Sequence, residues 1–323
     1  MRVVVTGGAG FIGANLCRRL LTEPAVDHVV AVDDLSTGDA ANLAGLDVDL
    51  VLADISSDDL LDIVRPGDAV VHLAARGSVA RSIDDPPATH RVNVAGTVNV
   101  AEAVRRRRAA HLVLASSSSV YGSNPELPKH EQLDPRPMSP YAASKLAAEQ
   151  WALASGNCFD VPTLAFRFFN VYGPLQPAGH VYAAVVPQFI RAAIDGEPVT
   201  IYGDGRQSRD FTYVDSVTAV VADAVTRRVA TPGPVNLAFG RRADLLEVRA
   251  AIAAALGVTP PVEWAEARTG DVRHSQADGR RLGELFPDAA PVPLADGIAR
   301  TVRWFRTGAV EAPLPIDAVS SVG

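Results

Sequence analysis

The sequence predicts an α/β chain: a doubly wound parallel sheet, with a smaller C-terminal lobe attached. Three observations carry this expectation. Short apolar runs without polar alternation recur through the first half, as parallel strands covered on both faces require. Longer segments of helical spacing separate them, so strand and helix alternate. A glycine-rich turn, within VVVTGGAGFIG, stands directly between the first run and the first helical segment.

The runs expected as strands are 3–6, 29–32, 50–53, 69–73, 112–116 and 163–168. The helical segments between them are 11–21, 57–64, 87–107 and 141–154. After Asn170 prolines, glycines and irregular stretches dominate. Helices are expected there at 185–194, 214–226, 245–256 and 294–305, and the strand-like 235–238 is expected to rejoin the sheet. The organisation read from this is a first domain over 1–169, a second lobe over most of 170–315 and a loose tail at 316–323.

Composition narrows the partners. The formal net charge of −7 gives no global basic field, which argues against nucleic acid but not against a small phosphorylated ligand. The run Arg105 to Arg108 is read as a solvated helix end complementing the helix dipole. Two cysteines, Cys17 and Cys158, make no disulfide framework and are read as packed free thiols. The seven histidines are scattered without ligand spacing, so no metal is expected. No leader pattern opens the chain, and no apolar stretch approaches the roughly 18–20 residues of a membrane span. The expected compartment is the cytoplasm.

Gly7, Gly10 and Gly13 follow the first strand and open a helix. Without side chains they let the backbone turn sharply and approach a pyrophosphate, to which the helix start presents N–H groups. In this setting the trio marks the Rossmann dinucleotide fold, although its spacing is GxxGxxG rather than GxGxxG. Asp33 ends the second strand, where a carboxylate accepts both hydroxyls of the adenosine ribose and repels a 2′-phosphate. No Arg or Lys lies between Asp33 and Leu50 to receive such a phosphate, so NAD is expected rather than NADP. Asp54 ends the third strand, where reaching the adenine and capping a helix compete.

The stretch Ser139-Pro140-Tyr141-Ala142-Ala143-Ser144-Lys145 is expected to open a helix, with Ser139 as its cap and Pro140 at the first position. Tyr141 and Lys145 then share one face. A free tyrosine has a pKa of about 10. A neighbouring ammonium and the positive nicotinamide ring of NAD⁺ both favour the phenolate, which acts as a general base towards a hydroxyl. Ser116 to Ser119 follow a buried strand and are expected at the sheet's C-terminal edge, where open α/β sheets carry their ligands.

These features together resemble the extended short-chain dehydrogenase/reductase family, and within it the nucleotide-sugar epimerases. The resemblance runs to about Phe305 and rests on TGGAGFIG, DDLSTG (33–38), VVHLAA (70–75), VNVAGT (92–97), SSSSVYG (116–122), YAASK (141–145), RFFNVYGP (167–174), GDGRQSRDFTYVD (203–215) and RTGDVRHS (268–275). It implies Tyr141 as base and acid, Lys145 on the nicotinamide ribose and Ser117 as the partner hydroxyl. The implied cofactor pocket draws on Gly7, Gly10, Phe11, Ile12, Gly13, Asp33, Ser36, Thr37, Gly38, Asp54, Ile55, Leu73, Ala74, Ala75, Asn93, Ser116, Tyr141, Lys145 and Phe168. The implied substrate contacts are Ser78, Ser117, Ser118, Ser119, Tyr141, Asn170, Val186, Arg209, Arg268, Asp271 and Ser275. Arginine forks suit pyrophosphate and an aspartate suits ribose hydroxyls.

The reaction implied is 4-epimerisation of a UDP-sugar through a transient 4-keto intermediate. A 4,6-dehydratase resembling this chain would carry an Asp-Glu pair where Ser118 and Ser119 stand, and a UDP-glucuronate decarboxylase would place Glu at Ser119. Neither acid is present. Ser275 aligns with a gate that is bulky where only simple hexoses are accepted, and its small size leaves room for an N-acetyl group. Relatives acting on UDP-glucuronate often carry Thr at Asn170 and an Arg soon after YGP, where this chain has Leu175-Gln176-Pro177. UDP-glucose/galactose or their N-acetyl forms are therefore expected, with UDP-glucuronate as the alternative. The family also implies a homodimer packed through helices 87–107 and 141–154.

Overall fold

A computed structural model describes residues 1–57, 60–179, 183–266 and 273–314. Its centre is a seven-stranded sheet made of β1 (Arg2–Thr6), β2 (His28–Asp33), β3 (Asp49–Leu52), β4 (Ala69–His72), β5 (His111–Ser117), β6 (Thr163–Phe168) and the strand Val235–Leu237. The order across the sheet is Val235–Leu237, β6, β5, β4, β1, β2, β3. Every neighbouring pair is parallel. The chain reverses its winding direction at β1, which lies between β2 and β4, so the ligand crevice opens beyond the C-terminal ends of these strands.

The absence of polar alternation in the strands has its cause here. Val3, Val4 and Val5 are all fully buried. Val3 and Val5 face one core, shared with α1 (Phe11–Leu20) and the helix Val214–Arg227; Val4 faces the other, shared with the helix Gly96–Arg107. Helix Val214–Arg227 thus covers the sheet although it comes from the second half of the chain. A third core, built on Tyr172, Phe189, Ile190, Val199, Ile201, Val248 and Ile298, holds a separate group of helices and short strand pairs together.

Three elements differ from the sequence reading. Only Leu60–Ile63 is helical among the described residues of the expected helix 57–64. The expected helix 87–107 is interrupted by a π-helical turn over Arg91–Ala95, between Pro86–His90 and Gly96–Arg107. The expected helix 141–154 runs from Pro140 to Phe159. Within it Gly156 lets the helix approach the sheet, since a β-carbon there would overlap the Thr163 side chain of β6. The helix ends where Asp160 turns left-handed, at φ +53°.

Cys17 is buried and Cys158 exposed, so only the first is packed as expected. Arg105 and Arg106 pair with Glu102, and Arg107 with Asp62, which fits a solvated helix end. Among the described residues no helix is long and apolar enough to cross a membrane, and no cluster of three or more His, Cys, Asp or Glu stands ready for a metal ion.

Candidate active site

The glycine turn builds a cradle that side chains would fill. Gly7 takes φ +71°, and a β-carbon on it would lie 2.7 Å from the Ala74 nitrogen. Its N–H donates to the Val32 carbonyl at 2.7 Å, binding the turn to β2. A β-carbon on Gly13 would overlap the Gly7 carbonyl oxygen. Gly10 caps α1 without any side-chain bond, which leaves the N–H groups opening at Phe11 and Ile12 for an anion. Gly8, absent from the expected trio, is equally constrained, since its β-carbon would meet that of Ala31 at 2.5 Å. The signal was in the sequence as a fourth glycine within TGGAG.

The loops beyond β2, β3 and β4 surround this cradle. Asp33 is buried, and its two carboxylate oxygens accept the N–H groups of Ala9 (3.0 Å) and Leu35 (2.9 Å). Each oxygen keeps a lone pair for a ribose hydroxyl. Gly38 abuts the same carboxylate, for its β-carbon would lie 2.8 Å from Asp33 Oδ1. Ser36 turns back onto Asp34, and Thr37 beside it is exposed. Asp54 is exposed and closes a turn onto the Ser56 N–H at 2.8 Å, while Ile55 is buried against Gly96. Leu73, Ala74 and Ala75 follow β4 directly, and Ser78 caps the helix Val79–Asp84. A donor-lined turn, a space only glycine leaves open and a carboxylate beyond β2 fit an NAD-type dinucleotide.

Ser117 ends β5 and lies beside Phe168, the last residue of β6. Ser118 and Ser119 begin a short 3₁₀ turn, Ser118–Tyr121. The Ser119 hydroxyl donates to Ser117 Oγ at 2.9 Å. Ser117 also lies close enough to the Tyr141 phenol for its hydroxyl to favour the charged form of that phenol. Burial pushes the Tyr141 pKa up, and the nearby Ser117 hydroxyl pulls against that rise. Lys145, one turn along the helix, is buried and donates to the Ala115 carbonyl at 2.9 Å. Burial alone pushes its ammonium down to about 8. Ser116 is also buried, and its hydroxyl is taken up by Glu149 at 2.6 Å.

Asn93 lies in the π-helical turn, a device often found at functional sites. Its side chain accepts the Arg76 N–H (2.7 Å) and donates to Ser144 Oγ (2.9 Å), tying the β4 loop to the Tyr141 helix. His72 was not foreseen. It reads as one more member of an apolar run, yet it bonds Thr6 Oγ1 through Nδ1 (2.7 Å) and Thr97 Oγ1 through Nε2 (3.0 Å). Because the Thr97 hydroxyl donates to the Asn93 carbonyl at 2.7 Å, it must accept from His72, which places the proton on Nε2.

Burial, aided by the nearby Lys145 charge, holds His72 down at about 3, below its usual 6.5. The folded chain keeps this ring neutral while the unfolded chain protonates it, so the stability it contributes is present above pH 6.5 and is lost as pH falls towards 3. His72→Asn should therefore lose about 2 kcal/mol less than wild type between pH 7 and pH 5 in urea unfolding. Equal losses in both proteins would take His72 out of the acid response.

A second cavity of about 270 Å³ lies beside the end of β6 and brings Asn170, Val186 and Arg209 together. Tyr202, Gln207 and Phe211 share its wall and were not anticipated. Ser275 lies next to this cavity's arginine strand, donating its N–H to the Ser208 carbonyl at 3.0 Å. Arg268 and Asp271 lie outside the described residues.

A parallel sheet with a dinucleotide cradle at its reversal point, facing a Ser117–Tyr141 pair with Lys145 one turn on, defines a short-chain dehydrogenase/reductase of the extended kind. Residues 3–238 match the NAD dependent epimerase/dehydratase family, and the chain belongs to it. It is 40% identical over 317 residues to a UDP-glucose 4-epimerase of Mycolicibacterium smegmatis, covering 95% of this chain and 99% of that one. Among solved structures it resembles a UDP-N-acetylglucosamine 4-epimerase from Methanobrevibacter ruminantium in complex with UDP-N-acetylmuramic acid (TM-score 0.89, 32% identity, 95% of this chain and 99% of that chain). It also resembles a UDP-glucose 4-epimerase of Thermus thermophilus in complex with NAD (TM-score 0.86, 35% identity, 96% of this chain and 100% of that chain).

Proposed function

We propose that this protein is an NAD-dependent 4-epimerase of a UDP-sugar, acting on UDP-glucose/galactose or their N-acetyl forms. The observation that carries the proposal is the Ser119–Ser117 hydroxyl pair beside the Tyr141 phenol at the sheet's C-terminal edge, with serines and no carboxylate at positions 118 and 119. Such a site moves one proton at one hydroxyl and has no second acid there to eliminate water. The Mycolicibacterium smegmatis relative at 40% identity supports this choice, although relatives at 31–34% identity include a probable UDP-glucuronate 4-epimerase and dTDP-glucose 4,6-dehydratases.

The roles in this proposal are those that the family resemblance implies. The dinucleotide lies on the α1 cradle, with Asp33 on its adenosine ribose; when bound, it supplies the acceptor and then the donor of the carbon-4 hydride. Tyr141 takes the proton of the 4-hydroxyl and returns it after the 4-keto sugar has turned over. Ser117 holds the reacting oxygen beside the phenol. Lys145, one turn from Tyr141, binds the nicotinamide ribose in this reading. Asn170, Val186 and Arg209 around the second cavity, with Ser275 next to it, are assigned to the nucleotide sugar, and the resemblance alone adds Arg268 and Asp271. The sheet unit is thus the cofactor domain, and the unit around Phe189 and Ile201 is the substrate lobe.

A homodimer forms in this reading through the Tyr141 helix. Ala143, Ala147 and Trp151 leave an exposed stripe on it, and Val79 and Ile83 on a helix packed against it are exposed too. Two free thiols suit a reducing compartment, the cytoplasm.

Incubation of the pure protein with a panel of UDP-sugars, without added cofactor, tests the proposal. The anomeric NMR signals of a 4-epimer are expected, with no net rise in NADH absorbance. UDP-glucuronate belongs in the panel because the serines also suit a carboxylate. Release of carbon dioxide, or of a 6-deoxy-4-keto product, would replace the epimerase reading with a decarboxylase or a dehydratase.

A further inference from the structure

The helix that carries Tyr141 and Lys145 carries a third polar residue at the same four-residue spacing. This is Glu149, which is fully buried. Its carboxylate accepts from Arg167 through Nε (2.9 Å) and Nη2 (2.7 Å), and from the Ser116 hydroxyl at 2.6 Å. Arg167 lies opposite Ser116 on β6 and is 2% exposed. Its guanidinium sits 4.7 Å over the Tyr121 ring, and the Tyr121 hydroxyl donates to Asn236 Oδ1 at 2.6 Å on the last strand of the sheet. Successive turns of one helix therefore grip successive residues of β5: Lys145 holds the Ala115 carbonyl and Glu149 holds the Ser116 hydroxyl. The next residue is Ser117.

A buried ion pair is a poor source of net stability, because desolvation cancels most of the attraction, and a well-packed apolar pair would join helix and sheet as firmly. What the charged pair adds is direction. The planar guanidinium fork fixes the plane of the carboxylate. The carboxylate fixes the Ser116 hydroxyl, and with it the peptide that leads into Ser117. The Ser117 hydroxyl itself accepts the N–H (3.2 Å) and the hydroxyl (2.9 Å) of Ser119 in the turn that follows and lies beside the Tyr141 phenol, and none of these contacts ties it to the sheet.

We propose that Glu149, held by Arg167, is a positioning residue that sets the Ser117 hydroxyl against Tyr141 by way of Ser116. The proposal rests on the roles given above to Ser117 and Tyr141.

Ser116→Ala tests it gently, since Glu149 and Arg167 keep each other and no charge is left unpaired. The first readout needs no substrate. With the tyrosine ζ-carbons labelled with ¹³C, the Tyr141 resonance is identified by its loss in Tyr141→Phe and is titrated in both proteins. Freeing Ser117 should move the Tyr141 midpoint upward by about half a unit or more. The second readout is kinetic: kcat should fall roughly tenfold to a hundredfold with KM within about twofold, and the acid limb of kcat/KM should move to higher pH. Ser116→Thr, which keeps the hydroxyl, should restore both. A Tyr141 midpoint that does not move overturns the proposal, whether or not activity falls. A wild-type protein that converts no UDP-sugar would instead sink the epimerase reading and leave the titration to decide this one.

Discussion

Tyr141→Phe should lower turnover roughly 10²–10⁴-fold while leaving the fold in place. The phenol lies beside the Ser117 hydroxyl, and the ring below it is untouched by the change. The effect should fall on kcat rather than KM, because the lost proton transfer belongs to the transition state and not to binding of the nucleotide. Melting temperature and bound dinucleotide should stay near wild type. A variant that turns over at the wild-type rate would place the base elsewhere.

Gly13→Ala should empty the cofactor site and weaken the fold together. The added methyl would overlap the Gly7 carbonyl and crowd the backbone of Gly8, and neither neighbour is a flexible side-chain end. The turn must then move away from α1, at a cost of about 1–3 kcal/mol for an overpacked core position. The same movement spoils the approach of the helix N–H groups to the pyrophosphate, so NAD content after purification should drop at least about tenfold, equivalent to about 1.4 kcal/mol of binding. A Gly13→Ala protein that still purifies with stoichiometric NAD would mean the pyrophosphate lies somewhere other than this turn.

Both variants act at positions legible in the sequence, and the reason is physical. Glycines that must turn a chain between a strand and a helix have no substitute, and a tyrosine four residues before a lysine on one helix face shows up as spacing. The parallel sheet was legible for a similar cause, since strands buried on both faces lose the polar alternation of exposed ones. What escaped notice was buried polar structure. His72, Glu149 and Arg167 sit within or beside apolar runs, and their partners lie far along the chain: Thr6 for His72, Ser116 for Glu149, Tyr121 for Arg167. No local period encodes such pairings. The π-helical turn at Asn93 was hidden for a related reason, because one inserted residue barely disturbs a helical pattern while it redirects a side chain. The cavity wall of Tyr202, Gln207 and Phe211 comes from irregular segments in which sequence spacing carries little geometric information.

In the proposed reaction the hydrogen on carbon 4 leaves the sugar and returns to it inside one closed site, while Tyr141 handles only the hydroxyl proton. The UDP-sugar incubation should therefore be repeated with substrate deuterated at carbon 4, in ordinary water and without added cofactor. Deuterium retained on carbon 4 of both epimers is the predicted result. Its replacement by solvent hydrogen would rule out hydride transfer to a held cofactor, because the proton chemistry would then be taking place at carbon rather than at oxygen.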